Sequence, residues 1–216
     1  MTSNFKLRVY TSAILFLILF LMFLNNIILG YFLIVLGVIS LLEFYNLNKI
    51  IFTNKIYKKF FFNLFITIYI SSFCSFILIL SFLFHFKVLM FVILITCIAS
   101  DIGGFTFGKL FKGPKLTKIS PNKTISGAIG SIFFSVFFLS LLMNYLIISF
   151  NYVIILVGFL TSLSCQTGDL LVSFLKRKSL TKDTGNLLPG HGGVLDRVDG
   201  ILLGLPVGFF TLLIVY

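Results

Sequence analysis

Seven apolar runs, at about 9–24, 27–43, 63–84, 88–108, 127–148, 152–173 and 201–216, take up most of this 216-residue chain. Each approaches or reaches the roughly 20 residues that an α-helix needs to cross a hydrocarbon core. In lipid the backbone must satisfy its own hydrogen bonds, which leaves helices or closed barrels. Long unbroken apolar runs, without the two-residue alternation of barrel strands, select helices. The sequence therefore predicts an all-α, polytopic integral membrane protein of about seven transmembrane helices. We read 1–216 as a single membrane-embedded domain in which 1–85 contribute hydrophobic scaffold spans.

Charge supports that class and orients it. Apolar residues make up 59% of the chain and charged residues 11%, with 17 Lys and Arg against 6 Asp and Glu and a net charge of +11. In a soluble protein such an excess suggests nucleic acid, but here the basic residues sit in short breaks between spans, where they set topology, so no nucleic-acid partner is expected. With the N-terminus in the cytoplasm, the breaks at 44–62, 109–126 and 174–200 share its side. Together with the N-terminus they hold every Lys and Arg except Lys87, which predicts N-in, C-out. Lys6 and Arg8 before the first apolar run resemble a signal peptide. No small-residue cleavage site follows, and an uncleaved first span is expected. Spans one and two are joined only by Asn25 and Asn26, so a re-entrant hairpin is the other reading there. Cys74, Cys97 and Cys165 each lie inside an apolar run without paired spacing and are read as packing residues.

On this topology all six acids, Glu43, Asp101, Asp169, Asp183, Asp196 and Asp199, fall toward the cytoplasmic side. A carboxylate at or below headgroup level costs several kcal/mol unless it has a partner or a water-filled cavity, so five aspartates on one face imply a polar site. Asp101 follows an apolar stretch and precedes Gly103 and Gly104, where the backbone can bend or another element approach. It is read as functional, the alternative being a cap on a broken helix. Glu43, beside Tyr45 and Asn46 at a span end, is read as a plain interfacial residue. The break at 109–126 carries five lysines, and Ser120, Pro121, Lys123 and Thr124 open the fifth span, where unpaired N–H groups and the helix dipole favour a phosphate. The glycine pattern of a Walker A loop is missing.

The richest polar stretch is SFLKRKSLTKDTGNLLPGHGGVLDRVDG, residues 173–200. Its glycines at 190, 192 and 193 permit a tight turn close to a ligand. His191 among them shapes the backbone, contacts substrate or acts in catalysis. Asp196 and Asp199 are three apart, and on a helix starting near Leu195 they share a face that can hold one divalent ion or a close pair. Structural ion pairs with Arg197 are the other reading. Oxygen ligands without Cys or clustered His suit Mg2+ rather than zinc. An ion flanked by Lys and Arg is what phosphoryl or nucleotidyl transfer needs.

Ser173, Lys176, Arg177, Lys182, Asp183, Gly185, Leu188, Pro189, His191, Gly192, Gly193, Asp196, Arg197 and Asp199 match at full spacing the signature of the phosphatidate cytidylyltransferases, and the chain resembles that family. The likeness extends to Asp101, Gly104, Phe107, Gly108, Lys109, Ser120, Pro121, Lys123, Thr124, Gly168 and Asp169, while 1–85 match only as hydrophobic spans. Ser126 stands where the family usually has Glu, and Phe105 where Tyr is common. The resemblance implies a membrane enzyme that joins CTP and phosphatidic acid into CDP-diacylglycerol and pyrophosphate. It would act with Mg2+, alone or with a second cation, at the cytoplasmic face of the inner (plasma) membrane. On that basis 86–216 are the catalytic half, with Asp169, Asp196 and Asp199 as metal ligands and Lys182 and Asp183 also catalytic. Substrate would be bound by Lys176, Arg177, Arg197, Ser120, Lys123, Thr124, His191, Gly192, Gly193 and Asp101. A CTP-dependent lipid-alcohol kinase, a transporter and a non-catalytic remnant are the competing readings.

Gly200, Gly204 and Gly208 recur every four residues and line one face of the last span. Such a stripe allows close helix contact, either within one subunit or between the copies of a homodimer.

Overall fold

The structure is a computed structural model that describes residues 3–53, 55–117, 119–121, 123–147, 152–185 and 192–215, with side chains from residue 14 onward. Among the described residues seven α-helices follow one another: α1 (Ser3–Leu24), α2 (Asn26–Ile51), α3 (Ile56–Ser81), α4 (Phe84–Phe111), α5 (Ile125–Ile147), α6 (Val153–Lys178) and α7 (Leu195–Val215). Helices α2 to α7 are long and apolar enough to span a bilayer, giving six candidate spans among the described residues. The seventh expected span lies in α1, whose described apolar part, Ile14–Leu24, is shorter.

Several helices outrun the apolar runs. Charged and polar residues end the hydrocarbon-compatible stretch without ending the i to i−4 hydrogen bonding, so α3 starts seven residues before its run, with Lys58 and Lys59, and α6 continues through Lys176, Arg177 and Lys178. Basic residues at the end of α6 also oppose its dipole favourably. The polar stretch before the last helix is correspondingly shorter than 174–200, and α7 begins at Leu195, which puts Asp196 and Asp199 on the helix.

The chain divides into two compact units. One comprises Met1–Lys87 with Leu175–Val198. Here α2 packs against both α1 and α3. Asn25 separates α1 from α2 and caps the latter, its side chain accepting the Ile27 N–H at 2.8 Å. The buried face of α2 carries Leu29, Leu33, Leu36, Ser40, Phe44 and Leu47. Between α2 and α3, Tyr45 and Thr67 share a hydroxyl hydrogen bond of 2.5 Å, and Asn48 donates to Asn63 Oδ1 at 2.7 Å.

The other unit comprises Val88–Phe174 with Asp199–Tyr216, and its helices touch through small residues. A Cβ placed on Gly103 would lie 2.5 Å from the Gly130 carbonyl oxygen, and one on Gly127 would lie 2.8 Å from that of Gly104, so α4 and α5 meet backbone to backbone. Helix α4 runs unbroken through Asp101, Gly103 and Gly104. Of the two uses expected of those glycines it is the approach of a neighbour that occurs, and Asp101 caps no broken helix. Gly158 of α6 packs on the Val136 backbone of α5, and Ser135 donates to the Gly158 carbonyl at 2.7 Å.

The glycine stripe of α7 is filled inside the same chain. Gly200 lies against the Cys165 backbone, Gly204 against the Cys165 and Cys97 sulfurs, and Gly208 against Thr161 and Ile93. This settles the choice left open by the sequence in favour of packing within one subunit, because α6 and α4 already occupy the face a second copy would need.

Candidate active site

The first turn of α7 organises a polar cluster within the unit that holds 175–198. Asp196 sits there, where a negative charge is favoured by the helix dipole. Its Oδ1 accepts a 2.6 Å ion-paired hydrogen bond from Lys176 Nζ. Its Oδ2 accepts from the Thr184 N–H at 2.9 Å, the Thr184 hydroxyl at 3.1 Å and the Gly193 N–H at 3.3 Å. Gly192 has φ +83, and a Cβ there would come within 3.4 Å of Asp196 Oδ2 and 3.6 Å of Asp183 Cβ. A left-handed, side-chain-free residue thus lets the segment close over the carboxylate and brings Asp183 beside it.

Lys176 is held by the way α6 ends. Leu180 adopts φ +55, its N–H bonds the Arg177 carbonyl at 3.2 Å, and the Thr181 N–H bonds that of Lys176 at 3.0 Å. These are the two bonds of a Schellman motif, with leucine in the position glycine usually fills. Ser179 is buried, and its hydroxyl donates to the Lys176 carbonyl at 3.0 Å.

Glu43 enters the same cluster from α2. It is only 4% exposed, unlike the interfacial residue expected from the sequence. Its Oε1 accepts the Val194 N–H at 3.0 Å, and its Oε2 accepts the Leu195 N–H at 2.9 Å and the Thr184 hydroxyl at 2.7 Å. A carboxylate thereby satisfies two of the donors that the start of α7 leaves without helical partners.

In the other unit Lys123 forms an ion pair with Asp169, whose Oδ1 also accepts from Ser173 at 3.3 Å. Lys123 is presented by a tight loop. Lys115 and Thr124 form an isolated antiparallel bridge, the Leu116 N–H reaches the Lys123 carbonyl at 2.8 Å, and the Ile125 N–H reaches that of Pro114 at 3.0 Å. Thr124 caps α5, its hydroxyl accepting the Gly127 N–H at 3.1 Å. Ser126 donates to the Lys112 carbonyl at 3.2 Å and shares a 3.0 Å hydrogen bond with Thr124, so this residue closes the loop. Ser120 accepts the Lys123 N–H through its carbonyl at 3.1 Å. Asp199 is buried and its Oδ1 accepts the Gly200 N–H at 2.9 Å. A Cβ on Gly168 would collide with the Asp199 carbonyl oxygen, so at the residue before Asp169 α6 and α7 meet backbone to backbone.

The expected residues therefore fall into two groups. Lys176, Asp183, Gly192, Gly193 and Asp196 come together in one unit, and Lys123 with Asp169 in the other. Arg177, Lys182 and Arg197 are exposed on the first unit, and Asp101 is exposed on α4. His191 lies outside the described residues. Sequence reading missed Glu43 and the bridging role of Thr184. Among the described residues no three His, Cys, Asp or Glu side chains stand close enough to hold an ion by themselves.

Residues 2–215 match the sequence pattern of the Cytidylyltransferase family. Among curated proteins, the chain is 43% identical over 114 residues to the phosphatidate cytidylyltransferase of Mycobacterium leprae, covering 52% of this chain and 36% of that one. It is 46% identical over 113 residues to the enzyme of that name from Helicobacter pylori, covering 52% and 42%. With the one from Rickettsia felis it shares 39% over 129 residues, covering 55% and 57%. The chain thus spans between about a third and just over half of the length of these relatives. The family pattern takes in the N-terminal helices as well as the polar clusters, and the chain belongs to the cytidylyltransferase family.

Proposed function

We propose that this protein transfers the cytidylyl group of CTP to phosphatidic acid, releasing pyrophosphate and forming CDP-diacylglycerol for phospholipid synthesis. The observation that carries the reading is the Asp196 carboxylate, held by Lys176, Thr184 and Gly193 at the start of α7, in a chain 43% identical over 114 residues to a protein named phosphatidate cytidylyltransferase.

A phosphate oxygen of phosphatidic acid attacks the α-phosphorus of CTP while pyrophosphate leaves in line, so the new P–O bond forms as the α–β bridge breaks. The nucleophile is an anion already, and no side chain has to supply one. The protein's task is positioning and charge compensation. Lys176, Arg177, Lys182, Arg197 and Lys123 offset the charge of the triphosphate and the lipid phosphate, with Ser120, Thr124, His191, Gly192, Gly193 and Asp101 as further substrate contacts. Lys123 stands at the start of α5, where the helix dipole adds to its pull on an anion. Asp183 lies against the Gly192 turn and helps fix its shape.

Asp169 and Asp199 in one unit and Asp196 in the other carry hard carboxylate oxygens, the kind of donor Mg2+ takes. Mg2+ commonly takes only one or two carboxylates and completes its shell with water and substrate phosphates. When bound it supplies charge neutralisation at the phosphates. The lipid enters from the bilayer and CTP from the cytoplasm, which places the reaction at the cytoplasmic face of the inner membrane.

Purified protein given labelled CTP, phosphatidic acid and Mg2+ is expected to yield CDP-diacylglycerol and pyrophosphate. A phosphorylated lipid with CDP as co-product would replace this reading with a lipid kinase, and flux without nucleotide turnover would replace it with a transporter.

A further inference from the structure

Glu43 is the one acid of the chain that the reaction above does not use, yet it is among the most completely engaged side chains in the molecule. It lies on α2, within the part of the chain that the signature does not reach, 141 residues from Thr184. Three donors converge on it, two of them the amides of Val194 and Leu195 where α7 starts. A carboxylate 4% exposed in a membrane protein costs several kcal/mol unless its lone pairs are met, so it and the segment it binds depend on each other.

Two glycines of the signature are explained by its presence. A Cβ on Gly185 would stand 2.5 Å from Glu43 Oε1 and 3.0 Å from its Cδ. One on Gly193 would stand 2.6 Å from Oε2 and 2.7 Å from the Gly185 N, and would overlap the Thr184 hydroxyl. The segment wraps the carboxylate so closely that no side chain fits at either position. Thr184 then links Glu43 to the chemistry. Its hydroxyl has one proton and faces two carboxylates, Glu43 at 2.7 Å and Asp196 at 3.1 Å, so the shorter bond goes to Glu43 while its amide donates to Asp196 at 2.9 Å.

We propose that Glu43 is a positioning residue for cytidylyl transfer: anchored on α2, it fixes Thr184, Gly193 and the first turn of α7 so that Asp196 and its Lys176 partner are held in one arrangement. The inference rests on the proposed activity for its catalytic consequence and on geometry alone for its structural one.

The test uses the full chain in lipid nanodiscs, comparing wild type, Glu43→Gln, Glu43→Asp and Thr184→Val by kinetics and by amide hydrogen exchange. Glutamine keeps the shape but turns an NH2 toward backbone N–H groups, and aspartate is one methylene too short. In a folded Glu43→Gln, exchange over 192–198 should rise at least about tenfold while the other helices keep wild-type protection. Its kcat should fall about 30- to 100-fold, with KM for CTP within about threefold, as for loss of alignment without loss of a substrate contact. Glu43→Asp should not restore either property. Wild-type exchange and kcat in folded Glu43→Gln would overturn the proposal, as would protection lost evenly through all helices. Should Glu43→Gln not fold, Thr184→Val decides: the same local exchange increase and kcat loss support the proposal, and wild-type values overturn it. If wild-type protein makes no CDP-diacylglycerol, the cytidylyl-transfer reading fails and with it the catalytic half of this one, while the exchange data still decide whether Glu43 holds the segment.

Discussion

Asp196 owes its orientation to three donors, Lys176 Nζ and the Thr184 and Gly193 amides, rather than to its place on α7 alone. Lys176 draws one oxygen, and the Thr184 and Gly193 groups fix the other, which leaves the carboxylate little freedom to rotate. Asn at this position keeps the size but offers a single acceptor oxygen and turns an amide toward other donors. It also leaves Lys176, whose side chain is 16% exposed, without its anion. Hydrogen bonds to charged groups are worth about 1.5–3 kcal/mol each, so Asp196→Asn is expected to lower thermal stability as well as rate. On the proposed mechanism turnover should drop at least about a hundredfold, as when a ligand carboxylate or its supporting shell is lost. Steady-state CDP-diacylglycerol formation by folded Asp196→Asn checks this, and a near-normal rate would remove Asp196 from the site.

At the level of elements, the ends and contacts of helices carry the information that the apolar runs do not. The Schellman end of α6 places Leu180 at φ +55 with its side chain 94% exposed, so the leucine contributes little packing while holding a backbone region disfavoured for it. Leu180→Gly should therefore raise stability, by up to about 1 kcal/mol after the extra chain entropy of glycine is counted. A lowered unfolding temperature would show that Leu180 makes a contact worth more than its strain. Gly204 is the opposite case, since any side chain there would overlap the Cys165 sulfur and reach that of Cys97. Gly204→Ile is expected to abolish folded protein and activity together, as overpacking of a helix contact does. A folded, active monomer from that substitution would mean that the stripe serves association after all.

How much of this was legible in the sequence varied with the kind of signal. Helix existence followed from run length, and the start near Leu195 on which Asp196 and Asp199 were read as sharing a face is where α7 begins. The clustering of Lys176, Asp183, Gly192, Gly193 and Asp196 was legible because those residues lie within 21 positions of one another. Glu43 was not, for two physical reasons. Its partners lie 141 residues or more away, and α2 is apolar around most of its circumference, so no periodicity marks which side faces protein and which faces lipid. The same lack of periodicity hid which helices fill the α7 glycine stripe. A lone acid on the same helical stripe as Ser40, Phe44 and Leu47 was the signal available, and it becomes readable only when the buried face of α2 is known.

For the whole molecule the distribution of positive charge predicts the orientation, and Lys87 is the exception to it. Lys87 was the single basic residue outside the N-terminus and the three breaks assigned to the cytoplasm. It is 5% exposed, donates to Asn26 Oδ1 at 2.6 Å and lies 5.7 Å from the centre of the Phe23 ring, so it is engaged in packing within its unit. The remaining Lys and Arg then all argue for one orientation, with the segment between α6 and α7 in the cytoplasm. Ser179, in the segment between α6 and α7, is buried at 3% exposure and unsuited to a labelling probe. Leu180 next to it is open, and so is Tyr152, at 82%, on the other side of the expected topology. In a Cys74→Ala background, Leu180→Cys should resist a membrane-impermeant maleimide in intact cells and react after permeabilisation, whereas Tyr152→Cys should react in both. Labelling of Leu180→Cys from outside would invert the topology and place Lys176 and Asp196 away from the cytoplasmic CTP they are proposed to serve.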